Sequence, residues 1–177
     1  DTGNSRIIKS DPSGSILAVW SAPGTGNGFL NGPSGIDVDA SGNVYVADTY
    51  NNNVTKFNSS HTFVSKQNRS GRIYSVAVDS ADDVYVGGQN FQKIIKYDHA
   101  STGTTNAWGI VSYAGNDTGE NHVDNPHGLS VGPSGLVVTT DATNDRVKTF
   151  KKTAFPTGDY SLPLSSLTCG SNIHYRA

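Results

Sequence analysis

The sequence predicts an all-β chain built as a β-propeller of four-stranded blades. Three observations predict it. One stretch, Pro33 to Asn58, recurs along the chain with a loop of fixed length. The 177 residues include 20 Gly and no Met, and Asn, Ser and Thr abound, which marks a turn-rich chain. Strands such as Val44-Tyr-Val-Ala47 and Ile94-Ile-Lys-Tyr97 are apolar on both faces, as strands sandwiched between neighbouring sheets must be.

The stretch from Pro33 reads as three short strands and two turns. Ile36–Asp39 is a short β run. Ala40–Asn43 is a turn, because Gly and Asn tolerate positive φ at little cost. Asn43–Ala47 is a second run, rich in Val and Tyr. Asp48–Asn53 is a polar loop whose only large apolar side chain is Tyr50, and Val54–Phe57 is a third run. Nothing here has the length or period of an α-helix.

The remaining elements follow in order. Asp1–Ser10 is the polar loop and third strand of a repeat whose first half is absent. Asp11–Gly14 is a turn, and Ser15–Trp20 is a fourth strand. Pro23–Gly28 carries a Gly-x-Gly pattern, but no strand precedes it and no helix can follow through Phe29–Pro33, so it reads as an inter-repeat loop rather than a phosphate cradle. The second copy extends to about Lys66. The third places strands at Ile73–Asp79, Asp83–Gly87, Lys93–Asp98 and Ala107–Tyr113. The fourth places them at Gly128–Gly132, Leu136–Thr140, Val147–Lys151 and Asp159–Leu164. Aligned on the loop, Asp1, Asp48, Gly88 and Asp141 correspond, and six residues later come Ile7, Val54, Ile94 and Val147. The copies lie about 40 to a little over 50 residues apart, which fits propeller blades.

Gly35-Ile-Asp-Val-Asp39, Gly42-Asn-Val-Tyr-Val-Ala-Asp-Thr49 and Asp1-Thr-Gly-Asn-Ser-Arg-Ile7 resemble the NHL repeat almost letter for letter. Pro126-His-Gly-Leu-Ser-Val131 with Asp141-Ala-Thr-Asn-Asp-Arg-Val147 is similar to it, and the third copy departs, with Gly88-Gln-Asn-Phe91 in place of the acidic loop. The resemblance covers residues 1–160 or so and implies a β-propeller. It does not imply a function, since such blades serve enzymes, binding modules and surface proteins alike.

About three and a half blades are present where NHL-type propellers usually close with five or six. Residues 1–164 read as blades and 165–177 as a tail or linker. An open arc leaves sheet edges and blade faces uncovered. The expectation is therefore a fragment of a longer chain, or completion by another protein or an identical subunit, which would make a ring or filament. The abrupt Asp1-Thr-Gly-Asn4 start reads as a mature or trimmed product.

Net charge is −2 and only 16% of residues are charged, without the basic face that nucleic-acid binding requires. No apolar stretch reaches the roughly 20 residues of a membrane span. Asn53-Val-Thr, Asn58-Ser-Ser, Asn68-Arg-Ser and Asn116-Asp-Thr are N-glycosylation sequons. Asn53 also stands where the NHL pattern has Arg. Four sequons on a neutral, Ser/Thr-rich surface point to an extracellular or cell-surface protein carrying N-linked glycans, against the alternative of ordinary turn asparagines. The single cysteine, Cys169, lies in the tail; in a secreted chain it is a candidate for an intermolecular disulfide, the alternative being an unpaired thiol.

The resemblance also implies where a metal would sit. Among NHL-like proteins the peptidyl-amidoglycolate lyases bind zinc through His at strand starts in three blades. His127 resembles one such position, while the other copies offer Ser34 and Ile73 or Tyr74. That is one ligand where about three are needed. Neither Gly32-Pro-Ser-Gly35 nor Gly132-Pro-Ser-Gly135 is a nucleophile elbow; both are turns in register. Asp and Asn crowd the loops at Asp1–Asn4, Asp48–Asn53 and Asp141–Asp145, which raises calcium, but turn hydrogen bonding explains the repetition more simply and no loop has EF-hand spacing. The expectation is a non-catalytic extracellular binding or structural module without a cofactor. The alternative is part of a propeller enzyme, a metal-dependent lyase or hydrolase whose other ligands lie outside this chain.

Overall fold

The computed structural model describes residues 1–89, 94–98, 109–113 and 123–151. These form thirteen strands in four antiparallel sheets. The first sheet has two strands, β1 (Ile7–Ser10) and β2 (Ile16–Trp20). The second is a complete four-stranded meander, β3 (Pro33–Val38), β4 (Val44–Asp48), β5 (Asn53–Phe57) and β6 (Phe63–Asn68). The third repeats it with β7 (Ile73–Val78), β8 (Val84–Gly88), β9 (Ile94–Asp98) and β10 (Gly109–Tyr113). The fourth holds β11 (Pro126–Val131), β12 (Leu136–Asp141) and β13 (Arg146–Lys151). The strand expected at Asp159–Leu164 and the tail 165–177 lie outside the described residues. No described helix is long and apolar enough to cross a membrane.

Each tight turn is held by one side chain at its first residue. Asp11 Oδ1 accepts the amides of Ser13 and Ser15, Asp39 Oδ1 those of Ser41 and Asn43, Asn58 Oδ1 those of Ser60 and Thr62, and Asp79 Oδ1 those of Ala81 and Asp83. An Asp or Asn side chain that mimics a backbone turn is why these residues punctuate the sequence at blade spacing. Gly42 completes its turn at φ +80°, a conformation that glycine adopts without the Cβ penalty.

The core lies between sheets. Tyr45, Ala47 and Val54 of the second sheet pack on Ile73, Val76 and Val86 of the third. Tyr85 and Ile94 of the third pack on Val137, with Leu129 and Val131 at the margin. Ile7 of the first packs with Leu30, Val44, Val46 and Phe57, with Trp20 beside them. Burying a side chain the size of Ile73 or Val86 stabilises by about 1.5–3 kcal/mol. The expectation that strands are covered on both faces holds for β4 and β8, every residue of which is buried. It does not hold for β2 and β3. Ile16, Leu17, Ile36 and Val38 are exposed, because the first sheet is only half a blade and leaves the face of the second uncovered.

Candidate functional site

The ends of the second strands and the starts of the first strands meet at one rim of the arc. Three loops there share one design. A short 3₁₀ turn runs over Thr2–Asn4, Thr49–Asn51 and Ala142–Asn144, and each ends in a left-handed residue, Ser5, Asn52 and Asp145. The Asp ahead of each turn accepts a bond from the Asn three residues later. Asn4 Nδ2 reaches Asp1 at 2.9 Å, Asn51 Nδ2 reaches Asp48 at 2.8 Å, and Asn144 Nδ2 reaches Asp141 at 2.8 Å.

In the first and fourth loops an arginine closes the arrangement, with Arg6 Nε 2.6 Å from Asp1 and Arg146 Nε 2.7 Å from Asp141. The second loop has Asn53 in that place. Asp48 and Asp141 are both fully buried, yet their acidities move oppositely. Burial raises Asp48 above its ordinary value, and the bonds from the Asn31 amide and Asn51 do not offset it. Burial works the same way on Asp141, but the Asp124 amide, Arg146 and Asn144 outweigh it and hold the carboxyl low. The carboxylates of these loops are thus engaged by turn amides and arginine, which is the structural role read from the sequence. A calcium ion there would have to replace those bonds.

The strand starts carry a bulge. Pro33 pairs with Asp48 and Gly35 with Ala47, so Ser34 is left unpaired. The same slip leaves Tyr74 unpaired in the third sheet, and His127 lies in the corresponding break of the fourth. The residue matching His127 is therefore Tyr74 and not Ile73, which is buried. Ser34 Oγ lies 2.6 Å from Thr49 Oγ1 and 2.8 Å from the Tyr74 carbonyl. The Tyr74 ring stacks at a tilt on His127, with centroids 4.3 Å apart, and its hydroxyl donates to Gln89 Oε1 at 3.1 Å. Arg72 covers the Tyr50 ring at 4.9 Å. The three strand starts thus bring together one hydroxyl, one phenol and one imidazole. Among the described residues, no group of three or more His, Cys, Asp or Glu is placed to hold a metal.

The sequons differ in placement. Asn53 is 3% exposed, with Nδ2 turned to the Asn51 carbonyl and Oδ1 accepting from the Thr55 hydroxyl. A glycan on that nitrogen would require the turn to open. Asn58 is half-buried at a turn, and Asn68 is exposed at the end of β6. Asn116 and Cys169 lie outside the described residues.

The NHL repeat family model matches residues 30–57, the segment running from Leu30 to the end of β5. Residues 30–57 are an NHL repeat. No curated protein sequence matches the chain. Solved structures match it as a β-propeller. Virginiamycin B lyase from Staphylococcus aureus is 12% identical, with a TM-score of 0.58 over 85% of this chain and 50% of its own. A streptogramin B lyase is 12% identical, with a TM-score of 0.60 over 85% of this chain and 49% of its own. A protein of unknown function from Bacteroides caccae is 14% identical, with a TM-score of 0.63 over 84% of this chain and 56% of its own. At these identities the likeness establishes the fold alone. The chain spans about half the length of these structures.

The rim stack of Tyr74 on His127 and the burial of Asn53 are not visible in the sequence. Both depend on how a neighbouring strand or blade packs. The bulge has a sequence signal, since Pro-x-Gly at 33–35 and 126–128 precedes each strand, and it becomes readable once the copies are aligned on the loop.

Proposed function

We propose that this chain is a non-catalytic, extracellular NHL-type propeller module that binds a protein partner or builds an assembly through its open blade face. The observation that carries the reading is the uncovered apolar surface of Ile16, Leu17, Ile36 and Val38 on two adjacent sheets. A contiguous apolar face of this kind marks an interaction surface. The exposed sequon at Asn68 and the turn sequon at Asn58 support a secreted setting with N-linked glycans. The strand starts support a non-catalytic role, since they supply one imidazole among three positions. Particle mass by light scattering on the native protein, set beside its denatured mass, tests the proposal. A particle of many chains, or a stable complex with a second protein, supports it. A bare, unglycosylated single chain that associates with nothing overturns it.

A second reading rests on His127, exposed at the rim and stacked on Tyr74. In it the chain is part of a propeller lyase or hydrolase whose remaining ligands come from elsewhere. Zinc titration followed by NMR of the His127 ring separates the two. Saturable zinc binding at His127 favours the enzyme, and an unmoved ring favours the module.

A further inference from the structure

The exposed apolar face is one side of a slot that the other blades show filled. In the third sheet, Val76 and Val78 of β7 face the second sheet. Val76 is only 4% exposed there, against Tyr45, Ala47 and Val54. In the fourth sheet, Leu129 and Val131 of β11 occupy the same register and lie against Tyr85 and Ile94. Ile36 and Val38 of β3 are the equivalents in the second sheet, and each is 54% exposed. Their counterpart for Val54 and Ile94 is present, as Ile7 of β1. Their counterpart for Tyr45 and Tyr85 is not, because the first sheet has only the two outer strands of a blade.

The vacancy has defined walls. A cavity of about 400 Å³ lies between β1 and β3, lined by Ile7, Ile8, Trp20, Ile36, Val38 and His61. Trp20 stacks on His61 at 4.1 Å, and its Nε1 is buried without a hydrogen-bond acceptor. Among the described strands only β2 pairs with β1, so the other edge of β1 offers its backbone donors and acceptors to the slot. An unpaired edge beside an apolar wall is the geometry of strand addition.

We propose that this slot takes a two-stranded antiparallel β-hairpin from a partner polypeptide, apolar on both faces. Its second strand pairs with the free edge of β1 and sets a tyrosine or similar large side chain against Ile36. The hairpin thus has the pattern of β3–β4, β7–β8 and β11–β12. The slot is continuous with the existing interface of Ile7 and Trp20 on Val44 and Phe57, so its filling extends a core that is already formed. This rests on the module reading above and names the surface and partner chemistry for it.

The test uses a synthetic hairpin peptide with the sequence of residues 33–48, titrated into the protein and followed by NMR. The expected result is saturable shifts of the amides of Ile7–Ser10 and of the Trp20 indole, with slowed hydrogen exchange at β1. Ile36→Asp in the protein and Tyr45→Ser in the peptide should each weaken binding at least tenfold. Ile36 is exposed in the free protein, so its variant should keep the unbound spectrum elsewhere. Absence of shifts at β1 overturns the proposal, as does peptide-free dimerisation through β1, which would make the occupant a second copy. A longer natural chain with β1 already paired and no peptide uptake would make the hairpin its own and overturn the partner assignment. A protein that assembles through another face yet takes no peptide loses the slot and keeps the module reading. One that takes the peptide but proves catalytic loses the module reading and keeps the slot.

Discussion

The loops of the second and fourth blades hold the same acid in the same place and give it opposite chemistry. Asp48 and Asp141 both end a second strand, both are fully buried, and both accept from the Asn three residues on. Asp141 also meets Arg146, whereas Asp48 meets no arginine, because Asn53 occupies that register position. The repeat thus preserves a backbone requirement, an acceptor for the turn, while leaving the charge balance free to vary. The third blade goes further and discards the acid. Gly88 takes its place, and a Cβ built there would lie 2.0 Å from the Arg72 carbonyl oxygen.

The largest break in this comparison comes from forcing the third loop to resemble the others. Gly88→Asp would drive a side chain into the backbone of Arg72 and Ile73, where nothing flexible can yield. The expected cost is about 3 kcal/mol or more, the upper range for overpacking. Urea denaturation should show a midpoint shift with folding still cooperative. A midpoint within error of the parent would mean that the Gly88 backbone is not as close to Arg72 as it stands here.

Next in size is Asp141→Asn. The folded carboxyl titrates below its ordinary value of 3.8, so its contribution is complete above that value and is lost as pH falls through the folded pKa. The variant should lose about 1–2 kcal/mol at neutral pH, reduced from the cost of a fully buried pair because Arg146 is partly exposed. The gap to the parent should close in acid. Equal stability losses at pH 7 and pH 3 would show that shape, not charge, is what the loop needs.

Asp48→Asn should behave with the opposite sign and a smaller amplitude. The folded carboxyl titrates above 3.8, so its charge costs the folded state at neutral pH, and that cost disappears as pH falls through the raised pKa toward 3.8. Removing the charge should change stability at pH 7 by no more than about 1 kcal/mol, in either direction. The Asn31 amide, 2.6 Å from Oδ1, keeps an acceptor in the variant. Stability against pH should lose the parent's gain between the raised pKa and 3.8.

Most of the architecture was legible because its causes are local. The turns announce themselves through Asp39, Asn58 and Asp79, each bonding to amides two and four residues on. The second strands announce themselves through runs such as Val84-Tyr-Val86. What escaped the sequence depends on neighbouring strands and sheets. Asp83 and Lys96 read as scattered surface charges, yet they form a buried ion pair under Tyr85. Asn53 reads as a sequon, yet it is buried in its own turn. His127 reads as a lone imidazole, and only blade packing brings Tyr74 against it.

The finest test restores the missing arginine. Asn53→Arg puts into the second loop the side chain that Arg146 supplies in the fourth, across the same strand pair. Its Nε should reach Asp48 and lower that carboxyl below 3.8, as Arg146 does for Asp141. The net stability change should be within about 0.5 kcal/mol, since the gain replaces the Asn53 bonds to Thr55 and Asn51. The informative quantity is the carboxyl titration of Asp48 followed by NMR. A fall below the ordinary value makes the identity of one residue the switch between the two loops. A carboxyl that stays raised would assign the difference to deeper burial between complete blades, and the fourth loop would then owe its low pKa to the Asp124 amide and Asn144 more than to Arg146.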